Sequence, residues 1–222
     1  MGLDMSIYRF PRYKHYGPKE MMAANEYFDW LESEEGQKHT FTDWCGVKEE
    51  DLPRKEDLDF FKGLRKESFW DWDEEHKYPH IRFYDEVAYW RKANAVHKWF
   101  VDRVQGGEDD CDWHDEVTQD VLEELRDICK EIIEKVVLVN GKVENGYTFE
   151  GGRKVIHYED GKTVLNKEVC EELLPSQSGF FFGGTDYDEW YMFDVKKTYD
   201  ICVKLLAETD FEHQMLYYSS SW

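Results

Sequence analysis

The sequence predicts an α+β fold in a single domain over residues 1–222: three to five helices packed on a small mixed or antiparallel sheet, with a β-hairpin excursion near 138–165. Three observations lead there. Helical patterning runs through three long segments, 85–105, 116–137 and 186–208. Short strand-like runs stand at 3–10, 178–182 and 214–222, so strands open and close the chain. Between 138 and 165, Asn140-Gly141, Asn145-Gly146, Gly151-Gly152 and Asp160-Gly161 punctuate runs such as Val155-Ile156-His157-Tyr158, which is hairpin chemistry.

Taken in order, Leu3 to Phe10 alternates roughly and is closed by Pro11 and Gly17-Pro18. Lys19 to Glu34 reads as a helix carrying Met22, Tyr27, Trp30 and Leu31. Residues 35–80 read as an irregular covering layer, with short helical patterns near 49–52 and 55–66 and an acidic, aromatic loop from Trp70 to Glu75. Ile81 to Tyr84 makes a short strand leading into a helix from Asp85 to about Gln105, stopped by Gly106-Gly107. The next helix, Glu116 to Val137, buries Val117, Val121, Leu125, Ile128, Ile132 and Val136. A short helix from Lys167 to Leu174 ends at Pro175. Thr185 reads as the N-cap of the last helix, with Asp188 as its capping-box partner. Gln214 to Trp222 closes the chain as a strand.

Composition narrows the function classes. Of 222 residues, 41% are hydrophobic and 17% aromatic, enough to bury a core despite 35% charge. The formal net charge of −21 disfavours direct nucleic-acid binding, which needs clustered Lys and Arg, and favours basic surfaces as partners. Cys45, Cys111, Cys129, Cys170 and Cys202 are odd in number, widely spaced and without a CxxC pair, which fits reduced thiols in a cytoplasmic setting. No run reaches the length of a membrane span and no leader pattern opens the chain.

The most informative stretch is Glu86 to Phe100. Read as a helix, its inward stripe carries Trp90, Asn94 and His97, with Arg91 and Lys98 beside it. Buried polar groups need partners, so Asn94 and His97 serve an internal network or line a pocket. Trp, Arg and Asn are also what a purine pocket requires: a stacking surface, a phosphate partner and an amide reader. Three weaker constellations follow. Gly183-Gly184-Thr185 stands between a strand and a helix, but Asp186 and Asp188 fill the positive helix end with carboxylates. Asp109, Asp110, Asp112 and His114 are candidate ligands for a divalent ion, although their order is not that of an EF-hand. Asp186, Asp188 and Glu189 offer paired carboxylates with nothing to complete a hydrolase set, so the balance leans away from an enzyme, and no cofactor is expected.

Several segments resemble a family of uncharacterised phage and prophage proteins: Met1-Gly2-Leu3-Asp4-Met5, Glu86 to Asn94 with His97-Lys98-Trp99-Phe100, Gln177 to Gly183 with Thr185-Asp186-Tyr187-Asp188, and the final Ser220-Ser221-Trp222. The resemblance implies an intracellular setting in a bacterial host and a counter-defence role. On it rests the leading reading, a non-catalytic protein that sequesters a small nucleotide-like ligand through Trp90, Arg91, Asn94, His97 and Lys98. The alternative is an acidic interaction module that blocks a basic host protein in the manner of a DNA mimic. A metal-dependent hydrolase is the third reading. No membrane partner is expected, and the oligomeric state is open, with a homo-oligomer allowed.

Overall fold

A computed structural model describes residues 2–32, 38, 54–67, 69–72, 79–82, 84–179 and 182–222. In chain order its elements are β1 (Asp4–Pro11), α1 (Pro18–Glu32), a 3-10 turn (Lys55–Asp57), α2 (Leu58–Glu67), β2 (Phe69–Trp72) and β3 (Pro79–Arg82). There follow β4 (Asp85–Arg91), α3 (Asn94–Val104), α4 (Gln119–Lys135), β5 (Leu138–Glu150), β6 (Arg153–Val164), α5 (Lys167–Leu173), α6 (Glu189–Glu208) and β7 (Gln214–Ser221). The class is α+β. A three-stranded sheet has the order β4-β1-β7, and β2-β3 and β5-β6 form antiparallel pairs.

The largest correction concerns the stretch from Glu86. Glu86 to Arg91 belongs to β4, and the helix begins only at Asn94. Val, Tyr and Trp suit a pleated strand, and the burial alternates: Ala88 and Trp90 are buried, Tyr89 and Arg91 exposed. Lys92, at φ 60°, takes the left-handed region that ends the strand and swings the chain into the helix. The sheet therefore draws its strand beside β1 from 85–91. Of the strand expected at 178–182, Phe180 and Phe181 lie outside the described residues, and Ser178, Gly179 and Phe182 belong to no helix or strand. The aromatic segment expected as a loop at Trp70 forms β2 as far as Trp72, where Phe69, Trp70 and Trp72 are residue types of high strand propensity. Its remainder, Asp73 to Glu75, and the pattern near 49–52 lie outside the described residues.

The chain divides into two compact units. The larger comprises Met1–Ile7, Val87–Phe211 and Tyr218–Trp222. Its core holds Leu3, Met5, Ile7, Trp90, Phe100, Leu122, Leu125 and Ile132, all but free of solvent contact. Each such side chain contributes about 1.5–3 kcal/mol by leaving water. Helices α4 and α6 pack along each other, burying Leu125, Cys129 and Ile132 on one and Val195, Cys202 and Leu205 on the other. Thr118 caps α4, its side chain accepting from the Val121 N–H at 3.4 Å. The hairpin expected near 138–165 is β5-β6, turned by Gly151 and Gly152 at φ 57° and 79°, the positive pair that a primed two-residue turn requires.

The smaller unit comprises Tyr8–Glu86 and Glu212–Tyr217. Pro18 stands at the first position of α1, where its missing N–H costs nothing. The buried Asp57 carboxylate accepts from the Tyr13 hydroxyl at 3.0 Å, the Tyr16 hydroxyl at 2.8 Å and the Lys14 ammonium. The Lys14 hydrogen bond holds this carboxyl below its ordinary range, so a buried charge is fully satisfied. Tyr13 stacks on Phe60 at 3.6 Å beside the buried Phe61.

Candidate functional site

The turn after β4 positions the residues that the sequence singles out. Lys92 donates its N–H to the Leu3 carbonyl at 2.7 Å, fixing the corner. Asn94 then opens α3 with its side chain directed at the loop before α6. Its amide nitrogen donates to the carbonyls of Phe182 at 3.1 Å and Gly184 at 2.7 Å, and its oxygen accepts from the Gln177 N–H at 3.1 Å. Both amide hydrogens and the oxygen are thus used on backbone. One buried side chain clamps a loop that has no ladder of its own. Gly183, at φ 85°, lets the chain reverse inside that clamp.

One turn later, His97 has no solvent exposure. Its Nε2 lies 3.0 Å from Asp109 Oδ1 and its Nδ1 lies 2.7 Å from the Tyr218 hydroxyl. A carboxylate only accepts, so Nε2 carries the proton, and Nδ1 accepts from the tyrosine. Burial pushes the imidazole below its ordinary pKa, with Asp109 pulling the other way. The same carboxylate accepts from the Trp222 indole at 2.9 Å and from the Gln177 side-chain amide at 3.5 Å. Phe182 meets the imidazole edge-on at 5.0 Å, and Phe100 stacks on Tyr218 at 4.2 Å. The order hydroxyl–imidazole–carboxylate matches a nucleophile relay. Here, however, Tyr218 is 2% exposed and burial raises its pKa well above the ordinary value, so the hydroxyl is shielded from solvent and held in its protonated form. The array is a hydrogen-bond chain, with a neutral imidazole at its centre, joining α3, the 108–110 loop and the end of β7.

The five residues assigned to a pocket therefore part company. Asn94 and His97 share this network. Trp90 is buried, its indole donating to Thr198 Oγ1 at 3.0 Å, while Thr198 donates to the Asp194 carbonyl at 2.7 Å. It offers no face for stacking a ligand. Arg91 is exposed and pairs with Asp4 at 3.4 Å. Lys98 pairs with Asp102 and lines a shallow cleft of about 150 Å³ with Ala95, Trp99, Asp102, Arg103 and Pro175.

The other constellations also disperse. Asp188 is buried as the N-cap of α6, its carboxylate accepting from the N–H groups of Trp190 at 2.8 Å and Tyr191 at 3.1 Å. It takes the capping role expected of Thr185, because it stands immediately before the first helical residue, whereas Thr185 is exposed three residues earlier. Asp186 is exposed, and Glu189 accepts from the Lys162 N–H at 3.0 Å. Of the proposed ion ligands, Asp109 serves His97, while Asp110 accepts from His114 at 2.8 Å and from the Asp112 N–H at 2.9 Å. Among the described residues, no three His, Cys, Asp or Glu side chains converge as a metal site. Cys129, Cys170 and Cys202 are buried free thiols, with burial pushing Cys202 up to about 12, and Cys111 is free and exposed. Cys45 lies outside the described residues.

Gln177, Tyr218 and Trp222 were not singled out by sequence. Tyr218 is 121 positions from His97, and no periodicity reports a contact of that separation. A different feature is visible in both sequence and structure. Residues 106–125 hold nine Asp and Glu and no Lys or Arg, and Glu108, Asp112, Asp115, Asp120 and Glu124 are exposed along the loop and the first turns of α4. No helix among the described residues is long and apolar enough to cross a membrane. No family model, curated protein or solved structure matches the chain.

Proposed function

We propose that this chain is a non-catalytic interaction module whose acidic strip, from Glu108 to Glu124, engages a basic protein of a bacterial host. The observation that carries the reading is the run of nine carboxylates without a single cation at 106–125, set in a chain of net charge −21. Such a strip attracts a Lys- and Arg-rich surface and speeds encounter with it. The resemblance to phage proteins supplies the context, counter-defence by occupying a host protein.

The test uses the full chain as bait in bacterial lysate, beside the quadruple variant Glu108→Gln, Asp112→Asn, Asp115→Asn and Asp120→Asn. The reading predicts capture of a basic protein that is released as salt rises and is lost in the variant. Capture that ignores both salt and the four substitutions contradicts it.

A second reading keeps one specific support. The cleft beside Lys98 brings Trp99, Lys98 and Arg103 together, the aromatic and cationic groups that a nucleotide-like ligand requires, on the neighbouring face of α3 from the one expected. Its volume is well below the roughly 300–1,000 Å³ of enclosing ligand sites. Lys98 and Arg103 are also paired with Asp102 and Glu124. This ranks the ligand reading second.

A further inference from the structure

The β5-β6 hairpin displays apolar side chains where its surroundings are water. Its register sets Tyr147 opposite Ile156 and Glu144 opposite Tyr158, with a bulge between Glu144 and Tyr147. Cross-strand partners and alternate residues share a face, so Tyr147, Phe149, Ile156 and Tyr158 form one continuous face of the distal half. They are 54%, 69%, 37% and 56% exposed. The Tyr147 and Phe149 rings meet edge to face at 5.6 Å, which orders the patch. The opposite face of the same strands is polar, with Thr148 and His157 hydrogen-bonded at 3.0 Å. The ribbon is amphipathic and exposes its apolar side.

We propose that this aromatic face pairs two copies of the chain, hairpin against hairpin, about a two-fold axis. Charge selects a second copy as the occupant. Residues 138–164 hold four basic side chains (Lys142, Arg153, Lys154, Lys162) and four acidic ones (Glu144, Glu150, Glu159, Asp160), so the hairpin is neutral in a chain of net charge −21. It is a segment on which two strongly acidic molecules can meet without concentrating like charge. An antiparallel two-fold arrangement lays the apolar face of one neutral hairpin on that of the other, as an isologous interface requires. The four apolar side chains expose roughly 400 Å² per copy, given the size of such groups. About 800 Å² of apolar surface buried in total lies at the low end for interfaces, so the dimer is weak and reversible. Because the rest of each copy repels the other, added salt strengthens the dimer, the reverse of docking by an acidic strip on a basic partner.

Sedimentation equilibrium of the full chain across protein and salt concentrations tests this, beside two variants checked for folding by circular dichroism. The wild type should show a monomer–dimer equilibrium that tightens with salt. Tyr147→Ser with Phe149→Ser should weaken it by about tenfold or more, the loss of roughly 1.4 kcal/mol or more of apolar burial. Ile156→Ser, opposite Tyr147 on the same face, should weaken it too. A wild type that stays monomeric into the high-micromolar range overturns the proposal. So does a dimer indifferent to both variants, or a monomer whose aromatic face captures a basic protein instead.

Discussion

The corner around Asn94 and the distal hairpin invert the usual arrangement in opposite ways. At the corner, polar side chains are buried and every polar atom of Asn94 and His97 is engaged within the protein. On the hairpin, aromatic side chains stand in water. The comparison teaches that polarity in a buried stripe marks a place where the fold must be held, because unsatisfied groups there are costly. Apolar groups on an exposed ribbon mark a place where something is to be held. The sequence offers the first region as either an internal network or a pocket, and the second only as a hairpin excursion.

The largest effect should come from Asn94. Asn94→Leu keeps the volume but strands the Gln177 N–H and the Phe182 and Gly184 carbonyls. The expected loss is about 3 kcal/mol in urea unfolding, the upper end for orphaned buried groups. A loss below about 0.5 kcal/mol, the range of ordinary surface changes, would erase the contrast between the two regions.

A pH series sharpens the contrast. The folded-state pKa of His97 is depressed below its ordinary 6.5, so its contribution is fully present above 6.5 and is lost as pH falls toward the depressed value. Asp194 works in the opposite sense. Burial raises its carboxyl to about 7, so its contribution is present at low pH and lost as pH rises through about 7. The informative quantity is therefore the stability difference between the wild type and His97→Gln, which should shrink on going from pH 8 to pH 5. A difference that grows over that range would show the imidazole charged inside the fold.

The smallest effect on stability is expected at the hairpin. Phe149→Ser should change the unfolding free energy by no more than about 0.5 kcal/mol, as for a surface position. A larger loss would mean that the face is part of the core, and the comparison would break from that side.

Much of this fold was legible because local chemistry carried it. The glycine pair at 151–152 announced the hairpin, the 3.6-residue period from Val121 to Ile132 announced α4, and the terminal strands fell where their patterns stood. The misreading of Glu86 to Arg91 has a physical cause. Val87, Trp90 and Asn94 fit a helical stripe as well as they fit a strand followed by a turn, and the break falls on Lys92, a residue that gives no sign of a left-handed backbone. The site was half legible. That Asn94 and His97 are buried and need partners follows from the stripe, but that the partners are Gln177, Phe182 and Gly184 for the one and Asp109 and Tyr218 for the other depends on tertiary contacts that no helical period reports.

The central claim is that the polar corner holds the fold while recognition belongs to the surface. It is tested most directly by one variant read two ways: His97→Ala, measured by equilibrium urea unfolding and, at a temperature where it remains folded, by capture of basic protein from bacterial lysate. The account predicts a stability loss of about 1–3 kcal/mol from the orphaned Tyr218 and Asp109 groups, with capture by the folded variant equal to that of the wild type. Unchanged stability with capture abolished would contradict it and return His97 to the centre of a binding site.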